Sequence, residues 1–287
     1  MTWLEGARSV DNRCNGKLVG AGMAATPDRL QNAHTQTHHR TSYDLPSSTM
    51  SQPQIICVLG MHRTGSSCLT GSLQAAGLHL GKHTIRNKYN LRGNRENRDF
   101  VNFHEDRLAA NKASWDNPPR KLRYSTSDLE QARELVAGFG DKRWGFKDPR
   151  TILALAVWNQ VIPNAQYVGI FRHPLAVLDS LQQRDASITR KTCLQLWLHY
   201  NRLLYCEFRR RPFPLLCFDW DKQTFHEKLN KVIAGLGLNP LAPDQRFYSN
   251  ELHNFPSDQN PALPWRLHRL YSKSRRACNQ RPVGVFT

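Results

Sequence analysis

The sequence predicts an α/β fold in which a P-loop-like parallel sheet is flanked by helices on both faces. Short, continuous apolar runs alternate with longer helical segments from residue 54 onward. The first apolar run is followed directly by a glycine-rich turn and then by a helical pattern. Runs that are apolar throughout indicate strands buried on both faces. Because parallel strands need long crossover connections, strands separated by helices predict a parallel, doubly wound sheet.

Four strands are expected, and each is recognised as a short apolar run that ends where the polarity changes. The first run ends at Gly60, and the third ends before an Arg-His pair. The other two runs are shorter and contain aromatic residues, which favour strands. The predicted strands cover residues 54–59, 143–147, 166–171 and 215–218.

The helices between these strands are predicted from apolar spacing and from glycine and proline boundaries. Leu69, Leu73 and Ala76 share one helical face, and Gly77 closes that helix. Pro174 suits the first turn of a later helix. Further helices are predicted at residues 98–111, 151–160, 174–183, 190–209, 222–235 and 264–274.

Composition divides the 287 residues into three regions. Residues 1–49 contain no Phe and no Ile, so we expect a disordered or non-native arm, with Met50 as the biological start. Residues 50–252 form the predicted α/β domain. Residues 253–287 are expected to be a basic C-terminal extension.

The chain carries 40 Lys and Arg against 23 Asp and Glu, a formal charge of +17. This excess predicts an anionic partner, which a nucleic acid, a membrane surface, a nucleotide or an acidic glycan could provide. The composition excludes fibrous, collagen-like and fully disordered classes. No apolar run reaches 18 residues, and the seven cysteines include no C-x-x-C pair. We therefore expect a cytoplasmic protein with reduced cysteines and no membrane insertion.

The most informative segment is the glycine-rich turn after the first strand. Its spacing, G-x-x-x-x-G followed by hydroxyl residues, is typical of a phosphate-binding loop, in which helix N-terminal amides point at the phosphate. An ATP or GTP hydrolase has Lys after the second glycine and a strand-end Asp for Mg²⁺. This chain has Ser66 and Phe171-Arg172 at those positions. The expected ligand-binding residues of the loop are His62, Arg63, Thr64, Gly65, Ser66 and Ser67.

A second anion-binding pattern follows the third strand. Arg172 lies at the predicted carboxyl end of that strand, where ligands bind in open α/β sheets. Ser180 falls about two turns into the next helix. An Arg and a Ser so placed can hold one terminal phosphate from two sides. A solvated or acid-paired side chain is the alternative interpretation of Arg172 alone.

Together these patterns resemble the sulfotransferase family that uses 3′-phosphoadenylyl sulfate (PAPS). In that family the first loop binds the 5′-phosphosulfate, and an Arg and a Ser eight residues apart, spaced as Arg172 and Ser180 are, bind the 3′-phosphate. Residues 145–151 and 93–97 resemble the G-W-K-D-P-R and G-x-x-E-N segments of bacterial members. The R-K-G-x-x-G-D-W-K and F-x-K-T-H segments of cytosolic members are absent. The resemblance, over residues 53–252, is therefore to the bacterial or carbohydrate-type branch.

The resemblance implies in-line transfer of a sulfuryl group from PAPS to a hydroxyl or amine of an unidentified acceptor, with no metal. Arg63 and the loop amides would stabilise the leaving phosphate. Lys147 would reach the sulfuryl or bridging oxygen, or else pair with Asp148. Glu96 is the expected general base, because the similar G-x-x-E-N segment often supplies a carboxylate there. The alternative bases are His104 and His62.

Two other function classes compete with this one. A P-loop kinase or NTPase accounts for the loop but needs a Mg²⁺ carboxylate that the sequence does not place. A nucleic-acid-binding protein accounts for the charge alone, without a recognised binding module, so no nucleic-acid partner is expected. The acceptor, a small molecule or a glycan, is expected to contact residues 82–128 and the chain after residue 240.

Overall fold

The computed structural model describes residues 54–83, 93–140, 143–241, 247 and 263–280. The predicted N-terminal arm, with the proposed start at Met50, lies outside the described residues. Within the described ranges, no helix combines the length and the apolar character needed to cross a membrane.

Four parallel strands form one sheet in the order β2-β1-β3-β4. The strands are β1 (Ile55–Leu59), β2 (Trp144–Lys147), β3 (Gln166–Phe171) and β4 (Leu215–Cys217). Cys57 pairs with Phe146 on one side and with Tyr167 on the other. The predicted α/β fold, a P-loop-like parallel sheet flanked by helices on both faces, is confirmed.

The described residues also form eight α-helices. They are α1 (Ser66–Ala75), α2 (Arg98–Ala110), α3 (Thr126–Ala137), α4 (Leu155–Val161), α5 (Pro174–Arg184), α6 (Arg190–Arg210), α7 (Lys222–Gly235) and α8 (Trp265–Gln280). Helices α2, α5, α6 and α7 lie where the spacing predicts them, to within one residue.

Helix α3 is absent from the sequence prediction, although its start carries a recognisable signal. The Ser125 hydroxyl accepts from the Asp128 amide, and the Asp128 carboxylate accepts from the Ser125 amide. This reciprocal capping box satisfies two donors that a helix start otherwise leaves open. The segment is polar, and only Ala132 is fully buried, so its apolar spacing is weak.

Two further helices have different bounds from those predicted. The segment 151–160 begins with a 3₁₀ turn, Pro149–Ile152, and α4 starts only after it. The side chain of Asp148 caps this turn. The predicted helix 264–274 continues to Gln280.

An aromatic cluster holds α2 and α4 against the outer strand β2. Phe100 stacks on Phe146 with ring centroids 4.2 Å apart, and Trp158 lies 5.1 Å from the same ring. Phe139 stacks on Trp144 at 4.1 Å. Because Trp144 and Trp158 are fully buried, this packing fixes α2 and the segment that leads into it beside the end of β2.

The carboxyl ends of the four strands point to one edge of the sheet, which is where α/β proteins bind ligands. The glycine-rich turn follows β1, Lys147 ends β2, Arg172 follows β3, and Asp219 lies two residues beyond β4. Helix α8, part of the predicted basic extension, packs against α6 and β4. It reaches the same edge, where the Tyr271 hydroxyl donates to Asp219 at 3.0 Å.

Candidate active site

The turn between β1 and α1 is a compact loop built around two glycines. Gly65 is the N-cap of α1 in a left-handed conformation (φ 86°), and a Cβ there would overlap the ring of Phe218. At Gly60, a Cβ would lie 2.9 Å from a carbonyl oxygen of β3. The buried Thr64 hydroxyl donates to the Met61 carbonyl at 2.7 Å and holds the turn between them. The loop therefore has the shape of a phosphate cradle.

The amides at the start of α1 form the base of this cradle. The first backbone hydrogen bond of the helix runs from the Leu69 N–H to the Gly65 carbonyl oxygen at 3.0 Å. Gly65, the N-cap residue, has no side chain that could accept from the amides of the first helical turn. Because those N–H groups point out of the helix, Ser66 and Ser67 present backbone donors to an anion in the loop.

Arg63, in the middle of the loop, donates from Nε to the Ser180 hydroxyl at 2.8 Å. Ser180 lies on α5 and is buried. Burial lowers the pKa of Arg63, and the positive charges of Arg184 and Arg172 lower it further. The charges of Arg172 and Arg184 therefore act on the Arg63 guanidinium that contacts Ser180, and such a concentration of positive charge favours binding of a multiply charged anion.

Arg172 is buried directly after β3, with 5% of the residue exposed. Its Nε lies 3.9 Å from Asp219 Oδ1, and its guanidinium faces the Phe218 ring at 5.2 Å. The Trp197 indole N–H donates to the Arg172 carbonyl at 2.9 Å and fixes the backbone there. The structure thus brings the predicted pair Arg172 and Ser180 together with the phosphate loop.

Arg184 is a residue of this cluster that sequence reasoning missed. It follows Ser180 by four residues on α5, and residues so spaced lie on one helix face. Its guanidinium carbon lies 5.8 Å from the centre of the Trp115 ring. The spacing from Ser180 is the signal that could have identified it.

On the other side of the loop, Lys147 forms a buried ion pair with Glu96. Lys147 Nζ donates to Glu96 Oε1 at 2.7 Å and to the Asn94 carbonyl at 3.0 Å. The Ser67 hydroxyl donates to the same carbonyl at 3.3 Å. The Lys147 side chain is 3% exposed and that of Glu96 15%. The G-x-x-E-N segment therefore meets the end of β2 and the start of α1.

The alternative pairing of Lys147 with Asp148 is wrong. Asp148 instead accepts from His104 Nδ1 at 2.9 Å and from the Arg150 amide and guanidinium at 3.0 and 2.9 Å. Burial alone would raise the pKa of Asp148, but His104 and Arg150 hold it below its usual range. Among the described residues, no group of three or more His, Cys, Asp or Glu side chains could hold a metal ion.

Both ring nitrogens of His104 are engaged in this buried network. Nδ1 contacts Asp148, and Nε2 lies 2.9 Å from the Trp158 indole N–H. An indole N–H can only donate, so Nε2 accepts and the proton of the neutral ring is on Nδ1. His104, which is 1% exposed, therefore offers no nitrogen that could take a proton from an acceptor.

His62 lies in the phosphate loop beneath an aromatic side chain. Its ring is 4.6 Å from that of Trp115 and 6.1 Å from that of Tyr200, whose hydroxyl donates to the Trp115 carbonyl at 2.8 Å. Burial lowers the pKa of His62 well below its usual value, and Arg150 and Lys147 add to the effect. His62 is therefore neutral at pH 7, and its buried Nδ1 has no hydrogen-bond partner among the described residues.

No protein-family model and no curated protein match the chain. A solved sulfotransferase domain from the olefin synthase of Synechococcus PCC 7002 is similar at 15% identity, with a TM-score of 0.49. The match covers 77% of this chain and 94% of that domain.

Proposed function

We propose that the protein is a PAPS-dependent sulfotransferase that moves a sulfuryl group onto a hydroxyl or amine of an acceptor. One observation carries this proposal. The glycine-rich loop lacks the lysine that ATP and GTP hydrolases have after the second glycine. Its own cation, Arg63, donates a 2.8 Å hydrogen bond to the Ser180 hydroxyl and lies near Arg172 and Arg184. Two anion sites joined in this way suit a ligand with two separate phosphate groups.

The residues of the edge fit the two ends of PAPS, which supplies the sulfuryl group. The amides of Thr64, Gly65, Ser66 and Ser67 and the guanidinium of Arg63 would bind the 5′-phosphosulfate, with His62 beside them. Arg172 and Ser180 would bind the 3′-phosphate. Their burial supports this assignment, because a low-dielectric environment strengthens each contact with an anion.

Lys147 and Glu96 are the proposed catalytic residues, together with Arg63. Sulfuryl transfer needs stabilisation of charge on the leaving phosphate and a base for the acceptor proton. Arg63 and Lys147 would supply the positive charge, and Glu96 would take the proton. The ion pair holds the Glu96 carboxylate next to Lys147. His62 is the remaining alternative base, whereas the two bonds of His104 argue against that residue.

Calorimetry on the full chain tests the proposed donor. We expect 3′-phosphoadenosine 5′-phosphate (PAP), the product, to bind independently of Mg²⁺ and more tightly than ATP with Mg²⁺. A preference for ATP with Mg²⁺ would instead favour a P-loop kinase or NTPase and overturn the proposal. Arg172→Ala should weaken PAP binding by about 2–5 kcal/mol, since it removes a buried charge-assisted contact. Arg190→Ala, an exposed arginine at the start of α6, is the matched control.

The acceptor proposed here is a hydroxyl-bearing small molecule or glycan in the cytoplasm. Trp115 supports this choice because its ring lies over the phosphate loop, where it could pack against a sugar or another flat acceptor. Transfer of label from PAPS to a panel of neutral and anionic glycans tests it. Transfer to glycans that is lost in Trp115→Ala, with PAP affinity retained, is the expected result.

A further inference from the structure

A carboxylate lies next to Arg172, the arginine proposed to bind the 3′-phosphate. Asp219 follows β4 at the ligand-binding edge, and its Oδ1 lies 3.9 Å from Arg172 Nε. At that separation the two groups form an ion pair without a hydrogen bond, and a small rotation would bring them into direct hydrogen-bond contact. A carboxylate paired with Arg172 would compete with any phosphate for the same guanidinium.

The other oxygen of Asp219 is held by donors on two separate elements. Oδ2 accepts from the His173 amide at 2.6 Å and from the Tyr271 hydroxyl on α8 at 3.0 Å. The Cys217 thiol adds a weaker contact at 3.5 Å. These bonds pull the carboxylate towards the start of α5 and towards α8.

Tyr271 is well placed to act as a permanent donor. Its ring meets the His173 ring edge-on at 4.9 Å and the Phe171 ring at 5.9 Å. Burial and the Asp219 carboxylate both raise the pKa of Tyr271, so the phenol keeps its proton. The ring packing fixes the direction in which the hydroxyl points.

We propose that Tyr271 is a positioning residue that holds the Asp219 carboxylate away from Arg172 and so keeps Arg172 directed at the 3′-phosphate. Helix α8 thereby belongs to the donor site, although Tyr271 itself touches no substrate. This inference rests on the proposed function, because holding the Asp219 carboxylate back from the Arg172 guanidinium matters only when a 3′-phosphate binds there.

The test compares four full-length proteins: wild type, Tyr271→Phe, Asp219→Asn and the double variant. Calorimetry measures the affinity of each for PAP and for adenosine 5′-phosphate, which lacks the 3′-phosphate. Tyr271→Phe keeps the ring that packs against His173 and Phe171. Tyr205→Phe on α6, whose ring stacks on Phe208, is the matched control.

We expect Tyr271→Phe to weaken PAP binding about three- to tenfold, the effect of one lost hydrogen bond, and to leave adenosine 5′-phosphate within about twofold. In the Asp219→Asn background, where no anion competes, the same change should alter PAP affinity less than about twofold. An equal loss in both backgrounds, or for both ligands, indicates a merely structural role and overturns the inference. Unchanged PAP binding in Tyr271→Phe also overturns it. A wild type that does not bind PAP overturns the proposed function and the inference together.

Discussion

Arg63 and Ser180 are separated by 117 residues in sequence and joined by a 2.8 Å hydrogen bond in the structure. The bond connects the phosphate loop after β1 to helix α5 after β3. It places the Arg63 guanidinium near Arg172, so Arg63 lies close to both of the proposed anion-binding positions. A ligand that spans both proposed positions would pass close to the Arg63 guanidinium.

The Ser180 hydroxyl should contribute to donor binding. Ser180→Ala removes the acceptor of the Arg63 bond and a proposed contact with the 3′-phosphate. We expect PAP affinity to fall by about 1.5–3 kcal/mol, the range for a hydrogen bond to a charged group. Calorimetry measures the change, and Ser127→Ala on the exposed face of α3 is the control. Equal affinities for Ser180→Ala and the control would remove Ser180 from the site.

Glu96→Gln should separate donor binding from turnover. Gln can still accept a hydrogen bond from Lys147, so we expect PAP affinity to stay within about twofold of the wild type. Without a carboxylate to take the acceptor proton, kcat should fall by about 10²–10⁴-fold. Steady-state kinetics with labelled PAPS measures this, with Glu130→Gln on α3 as the exposed control. An unchanged kcat would leave His62 as the base to test next.

Substitutions of Lys147 and Glu96, the mostly buried ion pair, should have coupled effects on the free energy of unfolding. Lys147→Met leaves a mostly buried carboxylate without its cation, whereas Lys147→Met with Glu96→Gln removes both charges. We expect the double variant to be more stable than the sum of the single changes, with a coupling of about 1–3 kcal/mol. Urea unfolding of the four proteins gives this number. Simple additivity would show that the pair is not coupled in solution.

Gly65→Ala should lower the free energy of unfolding more than Gly140→Ala does. A Cβ at Gly65 combines a positive φ of 86° with overlap with the Phe218 ring. Gly140 also has a positive φ, 62°, but a Cβ there would meet no atom within 4 Å. Gly140→Ala should therefore cost about 1–2 kcal/mol for the backbone, and Gly65→Ala about 1–3 kcal/mol more for the overlap. Urea unfolding of both variants checks the difference, and equal losses would mean that Phe218 moves aside without cost.

Asp148 should make stability depend on pH in the acid range. Its pKa lies below the usual value in the folded protein, so its contribution is fully present above the unfolded pKa, about 4, and is lost as the pH falls below that value. Asp148→Asn, which removes the buried negative charge beside His104 and Arg150, should cost about 3–5 kcal/mol at pH 7. In urea unfolding, the difference in the free energy of unfolding between wild type and variant should become smaller towards pH 2.5. Asp106→Asn, on the exposed face of α2, is the matched control.

The strands, most helices and the phosphate loop could be predicted because each depends on residues close together in sequence. An apolar run such as 166–171 is a strand wherever it lies in the chain, and a glycine after β1 permits a turn that other residues resist. Helix α3 escaped the prediction because its face is largely polar. The 3₁₀ turn at Pro149–Ile152 was not separated from α4 because apolar spacing over one turn does not distinguish a 3₁₀ turn from the start of an α-helix. The start of α3 carried a capping signal, so that miss was avoidable.

The sequence alone therefore determined the class of fold and the glycine-rich loop after β1, and it singled out Arg63, Arg172 and Ser180 as the residues proposed to hold an anion. Only the tertiary structure decided the partners. It joined Lys147 to Glu96 and not to Asp148, and it brought Tyr271 of α8 onto Asp219. Such contacts depend on how separate helices and strands pack, and each strongly changes what a side chain can do. A hydrogen bond is decided by distances of a few tenths of an ångström, which the order of residues along the chain does not express.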